Sequence, residues 1–203
     1  MIALITGITG QDGSYLTEAL LRRGDVVHGT VRRTSTLERS RLAHLYADSA
    51  IHNKQLFLHY AGLEDSSALR GITDRVKPQQ FYHLAGQSHV GLSFEMPETT
   101  CEITAIGTLR ILEVLRDSAS PKFLHASSSE IFGSPDVSPQ TENTAMRPVN
   151  PLWVRQGLHH ADGANLSRPS WSFRLQRHFL QPRISSPKGE LCHAEDLSRR
   201  CRD

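Results

Sequence analysis

The chain has 203 residues and a mass of 22.7 kDa, which is enough for one sizeable α/β domain or for a domain with a tail. Hydrophobic residues make up 38% and charged residues 22%, with a formal net charge of +2, so a collagen-like chain is excluded and the first 150 residues do not look disordered. No run of about 18 apolar residues and no basic and apolar leader occurs, and the three cysteines form no disulfide framework, so we expect a cytoplasmic protein without membrane contact.

Short apolar runs alternate with helical patterns in the first three quarters of the chain. The run at residues 1–6 is too short for a helix and is followed by glycines, which is typical of a buried parallel strand. The predicted strands are residues 1–6, 26–31, 56–60, 81–85 and 123–126, and the predicted helices are residues 13–24, 37–46, 65–75 and 104–116. Gly24 ends the first helix, and Asp65 or Ser66 caps the third. This alternation predicts an α/β fold, a Rossmann-like doubly wound parallel sheet with right-handed crossovers.

Three glycines, Gly7, Gly10 and Gly13, separate the first predicted strand from the first helix in a G-x-x-G-x-x-G pattern. A dinucleotide pyrophosphate must approach the backbone closely at a helix N-terminus, where free N–H groups and the helix dipole favour an anion. The spacing differs from G-x-G-x-x-G and is the form seen in short-chain dehydrogenase/reductases. Because these glycines lie at the first strand–helix junction, they predict a dinucleotide site. The alternative is an ordinary tight turn between a strand and a helix.

A basic pair, Arg32 and Arg33, ends the second predicted strand and is followed by Thr34 and Ser35. A protein selective for NAD usually places an acidic residue there, which binds the ribose 2′-hydroxyl. Guanidinium groups match a phosphate bidentately, so this pair favours NADP over NAD. The alternative is a solvated basic pair on a loop.

With these motifs in place, four longer strings become recognisable: L-I-T-G-I-T-G-Q-D-G-S-Y-L at 4–16, V-H-G-T-V-R-R-T-S at 27–35, Q-S-H-V at 87–90 and A-S-S-S-E-I-F-G at 126–133. Over residues 1–151 they resemble the GDP-mannose 4,6-dehydratases, a family of extended short-chain dehydrogenase/reductases in GDP-fucose and GDP-rhamnose synthesis. The resemblance implies NADP as cofactor, GDP-mannose as substrate and a homo-oligomeric family, and it leaves the oligomeric state of this chain open. The implied cofactor contacts are Gly7, Ile8, Thr9, Gly10, Gln11, Asp12, Arg32, Arg33, Thr34, Ser35, Leu63 beside the adenine, Leu84, Ala85, Gly86, Gln87 and Ser88.

The resemblance also implies a redox-neutral reaction. NADP⁺ takes a hydride from C4 of the mannose, a base removes the C5 proton, water leaves from C6, and the hydride returns to C6. Glu130 matches the base and acid of the elimination, and Ser128 matches the residue that hydrogen-bonds the sugar hydroxyl. A carboxylate is a sufficient base because the C4 ketone acidifies the C5 proton. The residues alone would indicate only a strand end followed by a turn.

The oxidation in this superfamily depends on a Tyr-x-x-x-Lys pair, which the dehydratase family places shortly after a proline as Y-G-x-x-K. Leu152 and Gln156 stand at those two positions in this chain. The charge balance also changes here, since residues 1–151 hold 14 basic and 16 acidic residues, whereas residues 152–203 hold 9 and 5. We therefore expect an NADP-binding Rossmann-type domain at 1–151, with an incomplete sheet, and a poorly ordered, non-homologous tail at 152–203.

A one-nucleotide shift of the reading frame explains such a tail. Residues 152–157 can be encoded by CTA TGG GTG CGC CAA GGC, which reads Tyr-Gly-Cys-Ala-Lys one nucleotide later. The same shifted frame permits F-A-C-N-G-I-F-F-N-H-E-S over residues 173–185 and F-V-T-R-K-I over 189–197, which resemble the family's continuation in the correct order. We therefore expect a chain that is truncated relative to the family and translated out of frame after residue 151.

Other interpretations of the tail are weaker. Cys192, His193 and Cys201 fit no common zinc spacing, so we expect no metal site, and the short basic end predicts a solvated terminus rather than a nucleic-acid contact. Two alternatives to an inactive dehydratase-like chain stay open. One is a non-catalytic NADP-binding module, and the other is a different sugar-nucleotide dehydrogenase or epimerase, against which the Q-S-H-V string argues.

Overall fold

The computed structural model describes residues 1–33, 41–118, 121–126, 129–136, 138–141, 143–145 and 147. Five parallel strands form one sheet: Ile2–Thr6 (β1), Val26–Val31 (β2), Leu56–Tyr60 (β3), Gln80–His83 (β4) and Lys122–His125 (β5). The helices are Gln11–Arg22 (α1), Ala43–Ala47 (α2), Ser66–Val76 (α3), Val90–Glu95 (α4), Pro97–Cys101 (α5) and Gly107–Arg116 (α6), with a π-helical turn at Glu102–Ile106 and a 3₁₀ turn at Ser129–Phe132. The strand order β3-β2-β1-β4-β5 reverses direction between β1 and β4, which confirms the predicted Rossmann-like architecture.

Side chains that alternate along the strands fill a core on each face of the sheet. One core joins sheet residues such as Ile5, Val27 and Tyr82 to Leu16 and Leu20 of α1. The other joins Leu4, Phe81 and Phe123 to apolar residues of α3 and α6. Because both faces are covered by helices, apolar residues on the central strands face both ways, as Leu4 and Ile5 of β1 do, which is expected for a parallel sheet.

Two predicted helix signals are present in the structure. Gly24 follows Arg23, the C-cap residue of α1, and has a φ of +84°, a conformation that favours glycine. The Asp65 side chain accepts a hydrogen bond from the Ala68 amide at 2.9 Å and caps α3.

Several predicted boundaries were wrong, each for a local reason. The fourth strand ends at His83 rather than at residue 85, because β1 beside it ends at Thr6 where the chain turns at Gly7. The first helix begins two residues earlier than predicted, since its first two residues, Gln11 and Asp12, are polar and exposed and give no apolar signal. Residues 104–106 belong to a π-helical turn rather than to a regular α-helix.

Two further helices, α4 and α5, were missed because Pro97 interrupts their apolar pattern. Of the predicted helix at 37–46, residues 37–40 lie outside the described part of the chain, and the rest contributes only to the short α2. The predicted tail, residues 152–203, also lies outside it. Among the helices that the structure describes, none has the length and apolar character needed to cross a membrane.

Candidate functional site

The glycine segment turns between β1 and α1 at the carboxyl edge of the sheet. Gly7 has a φ of +76°, and a Cβ built on it would lie 2.8 Å from the Ala85 amide nitrogen. A Cβ on Gly13 would overlap the Gly7 carbonyl oxygen. Both positions therefore require glycine, the first for its conformation and its close approach to the chain after β4, the second for the tightness of the turn.

The N-terminus of α1 points its free amides toward this edge. The helix starts at Gln11, and its N-cap residue, Gly10, makes no side-chain cap. The amides of Gln11, Asp12 and Gly13 lie in the first turn, where no preceding helical carbonyl can accept from them. These donors and the positive end of the helix dipole form an anion-binding position.

The segment after β4, residues 84–88, lies against the glycine turn. The Leu84 amide donates to the Thr6 carbonyl at 3.1 Å, which continues the bonding between β4 and β1 for one residue. Gly86 and Ser88 are exposed, whereas Leu84, Ala85 and Gln87 are half-buried. The contact lies between β1 and β4, where the strand order reverses and open α/β sheets bind their ligands.

The basic pair lies at the same edge. Arg32 and Arg33 directly follow β2, the strand that pairs with β1, and both side chains are exposed. Neither forms an ion pair with any residue in the described ranges. Their guanidinium groups are therefore accessible to a ligand, while Thr34 and Ser35 lie outside the described residues.

Leu63 follows β3 at this edge and is largely enclosed. It is 6% exposed, and a Cβ built on Gly107 would lie 2.8 Å from the Leu63 Cβ. Its carbonyl oxygen lies 3.5 Å from Nη1 of Arg110, whose Nη2 donates to Glu102 at 2.6 Å. Packing against α6 thus leaves only a small exposed part of Leu63 for contact with an adenine ring.

The two predicted catalytic residues follow β5. Ser128 lies outside the described residues, and of Glu130 the structure describes the backbone alone, in the 3₁₀ turn Ser129–Phe132. That turn follows β5 at the carboxyl edge of the sheet, the edge at which the glycine turn lies. Leu152 and Gln156 lie outside the described part of the chain.

A buried polar group at this edge was missed in the sequence. His83, at the end of β4, is 1% exposed and lies between two threonines, with Nδ1 2.7 Å from Oγ1 of Thr6 and Nε2 3.1 Å from Oγ1 of Thr108. Its ring also stacks on that of His125, with centroids 4.9 Å apart. The signal was the pairing register, because a parallel β1–β4 pair aligns Thr6 with His83.

Two histidines with lowered pKa values lie elsewhere, on β2 and β3. Nδ1 of His28 is 2.9 Å from Nε2 of His59, and the His28 ring stacks on Phe57. Burial, and then the neighbouring His59, lower the pKa of His28 to about 4. Burial, and then Arg75, also lower the pKa of His59. Both rings are therefore neutral near pH 7, and they contribute no charge to the carboxyl edge of the sheet.

Comparison with known proteins identifies similar chains. Residues 4–153 match the family model described as GDP-mannose 4,6 dehydratase. GDP-mannose 4,6 dehydratase 1 of Arabidopsis thaliana is 49% identical over 165 residues, which are 78% of this chain and 45% of that protein. The GDP-mannose 4,6-dehydratase of Vibrio cholerae is 48% identical over 155 residues, or 75% of this chain and 42% of that protein. The chain thus spans less than half the length of these relatives.

Solved structures with the same fold include two UDP-glucose 4-epimerases. The enzyme from Stenotrophomonas maltophila, with bound NAD, superposes with a TM-score of 0.75 at 18% identity, covering 86% of this chain and 51% of that one. The enzyme from Brucella ovis, in complex with NAD, gives a TM-score of 0.72 at 20% identity, covering 86% and 50%. At these identities the likeness is one of fold alone.

Proposed function

Because the chain belongs to the GDP-mannose 4,6-dehydratase family, we propose that residues 1–151 form the NADP-binding part of a protein that acts on GDP-mannose. The observation that carries the proposal is the contact between the Gly7 turn and Ala85, beside the free amides that begin α1. A pyrophosphate at that helix N-terminus would need the backbone approach that glycine allows. The intact family reaction converts GDP-mannose to GDP-4-dehydro-6-deoxy-mannose in the cytoplasm.

The choice of NADP over NAD rests on Arg32 and Arg33. Both follow β2, are exposed and form no ion pair with another described residue, so a 2′-phosphate can bind without displacing an existing partner. The proposed remaining contacts are those of the glycine turn, of the segment 84–88 and of Leu63, with Thr34 and Ser35 beside the phosphate.

Titration with NADP⁺ and NAD⁺ tests this choice, because the two cofactors differ only in the 2′-phosphate. Arg32→Gln and Arg33→Gln should each weaken NADP⁺ binding by roughly 10–100-fold, the loss of a charge-assisted hydrogen bond, and change NAD⁺ binding little. Arg22→Gln is the matched control, since this exposed arginine lies at the opposite end of α1. Equal losses for both cofactors would show that the pair does not bind the 2′-phosphate.

The chemistry proposed for the intact site uses Glu130 and Ser128. NADP, when bound, supplies the hydride acceptor at C4 and the hydride donor at C6. Glu130 removes the proton from C5 and passes a proton to the departing C6 hydroxyl, and Ser128 hydrogen-bonds the sugar. The C5 proton would thus leave in the water formed from the C6 hydroxyl, and the proton released from the C4 hydroxyl on oxidation would go to C5 when the hydride adds at C6, so the overall reaction is balanced in protons.

We propose that this chain binds NADP without turning over GDP-mannose. The proposal rests on Leu152 and Gln156, which have no acidic proton to exchange with the C4 hydroxyl and no ammonium group to lower a neighbouring pKa. The match to the family model, which ends at residue 153, supports the proposal that residues 152–203 are an out-of-frame translation.

Two measurements test this second proposal. The coding nucleotides after codon 151 should contain Tyr-Gly-Cys-Ala-Lys and the two later strings in the shifted frame. In an assay with NADP⁺ and GDP-mannose, the chain should give no 4-keto product, and a version with the frame restored should give it. Turnover by the chain as it stands would refute the inactivity, and unshifted codons would refute the frame shift.

A further inference from the structure

The buried ring of His83 joins two elements that border the proposed cofactor site. The ring is bonded at both nitrogens, to Thr6 of β1 at 2.7 Å and to Thr108 of α6 at 3.1 Å. Thr6 is 0% exposed and directly precedes Gly7, and Thr108 is 3% exposed. The ring therefore connects Thr6, the residue before the glycine turn, to helix α6.

The hydrogen positions in this group follow from the number of donors. Oγ1 of Thr108 lies 2.6 Å from the Thr104 carbonyl, which can only accept, so the hydroxyl donates its single hydrogen there. It must then accept from Nε2–H of His83, and Nδ1 accepts from the Thr6 hydroxyl. The neutral Nε2–H tautomer thus satisfies every donor in the group.

The group continues into the segment after β4. Thr104 belongs to the π-helical turn Glu102–Ile106 and is 4% exposed. Its hydroxyl oxygen accepts from the Gln87 amide at 3.3 Å. π-Helical turns inside α-helices occur often at functional sites, and this one gives Thr104 a carbonyl bonded to Thr108 and a hydroxyl bonded to the segment 84–88.

We propose that His83 is a positioning residue which, with Thr104 and Thr108, holds the segment 84–88 against the glycine turn. Hydrogen bonds in the order Thr6–His83–Thr108–Thr104–Gln87 connect both the glycine turn and the segment 84–88 to one buried ring. Its consequence for cofactor affinity rests on the proposed function, whereas the positioning of the segment does not.

Amide hydrogen exchange of the cofactor-free chain tests the positioning directly. Thr104→Val and Thr108→Val should each speed exchange in the segment 84–88 by about tenfold, because the first removes the bond to the Gln87 amide and the second removes the bonds to His83 and to the Thr104 carbonyl. Thr73→Val is the matched control, since this 2% exposed threonine in α3 donates to the Leu69 carbonyl at 2.8 Å, just as Thr108 donates to that of Thr104. It should leave exchange in that segment unchanged.

A double-mutant cycle on NADPH binding tests the role of the ring. Thr6→Val and Thr108→Val should each raise the Kd by roughly threefold to tenfold. The increase in Kd for the double variant should be smaller than the product of the two single increases, because both bonds end on His83. The emission of bound NADPH should shift in the same variants and not in Thr73→Val.

The outcomes separate this inference from the proposed function. If the unmodified chain binds no NADPH, the proposed function fails, and the exchange comparison still decides the positioning. If Thr108→Val and Thr73→Val have the same effect on the segment 84–88, His83 does not position it. His83→Asn and His83→Gln each keep one of the two hydrogen bonds of the ring. Their exchange rates in the segment 84–88 should therefore lie between those of the unmodified chain and those of the variant His83→Leu.

Discussion

Replacing Gly7 by alanine should weaken cofactor binding far more than the same change at Gly24. Both glycines have a positive φ, +76° and +84°, so both variants force alanine into a left-handed conformation. That strain costs roughly 1–2 kcal/mol of folding free energy at either position. Gly24 therefore isolates the strain, because nothing lies within 4 Å of a Cβ built there.

The additional effect at Gly7 comes from its neighbours in space. A Cβ on Gly7 would lie 2.8 Å from the Ala85 nitrogen and 2.9 Å from the Leu84 carbonyl carbon, both backbone atoms that cannot rotate away. An ordinary contact between this Cβ and the Ala85 nitrogen would be about 3.5 Å long, so the glycine turn and the segment 84–88 must separate by roughly 0.7 Å. Misplacement on this scale can cost about 100-fold in a pre-organised site.

We therefore expect Gly7→Ala to raise the Kd for NADP⁺ by roughly 30–100-fold and Gly24→Ala to change it less than about twofold. Calorimetric titration gives both constants, and urea unfolding confirms that each variant is folded at the temperature of the titration. Equal changes in Kd for the two variants would refute the reasoning, since the shared strain would then account for the whole effect.

Three further changes probe the stability of the fold. Because the pKa of His28 is lowered to about 4 in the folded chain, stability should fall as the pH drops from 6.5 toward 4, by about 1–2 kcal/mol after screening at this half-exposed ring; urea unfolding at several pH values should show a flatter profile for His28→Gln. Asp25→Ala, which removes the carboxylate partner of the partly buried Arg23, should cost about 2–4 kcal/mol in chemical unfolding, and the exposed Asp117→Ala should cost much less. Gly107→Ala should cost about 1–3 kcal/mol by pushing on Leu63 and should weaken NADP⁺ binding; an unchanged melting temperature would contradict this.

The parts of the fold and site that the sequence predicts are those with local signals. The glycine pattern lies within seven residues, 7–13, and the Arg32–Arg33 pair comes directly after the last residue of β2, so both are visible in the local sequence. A doubly wound parallel sheet is predicted from the alternation of strands and helices, because right-handed crossovers leave few topologies. These features need no knowledge of which side chains meet.

The missed parts depend on contacts between residues far apart in the chain. Thr6 and His83 are separated by 77 residues and meet only through the register of β1 and β4. The burial of Leu63 depends on Gly107, whose missing Cβ lets α6 approach the chain after β3. The π-helical turn has no composition that distinguishes it from the helix around it, so only packing reveals it.

The residues proposed for cofactor binding and those proposed for chemistry belong to different parts of the chain. Every cofactor residue that the structure describes follows β1, β2, β3 or β4, and the contact between Gly7 and Ala85 is complete without anything after β5. Glu130 follows β5, and Leu152 and Gln156 come later still. We therefore expect a dinucleotide to bind the first group independently of the second, because its phosphates need amides and guanidinium groups rather than an acid and a base. Loss of the tyrosine and lysine should thus remove turnover and spare affinity, which a general failure of folding cannot do.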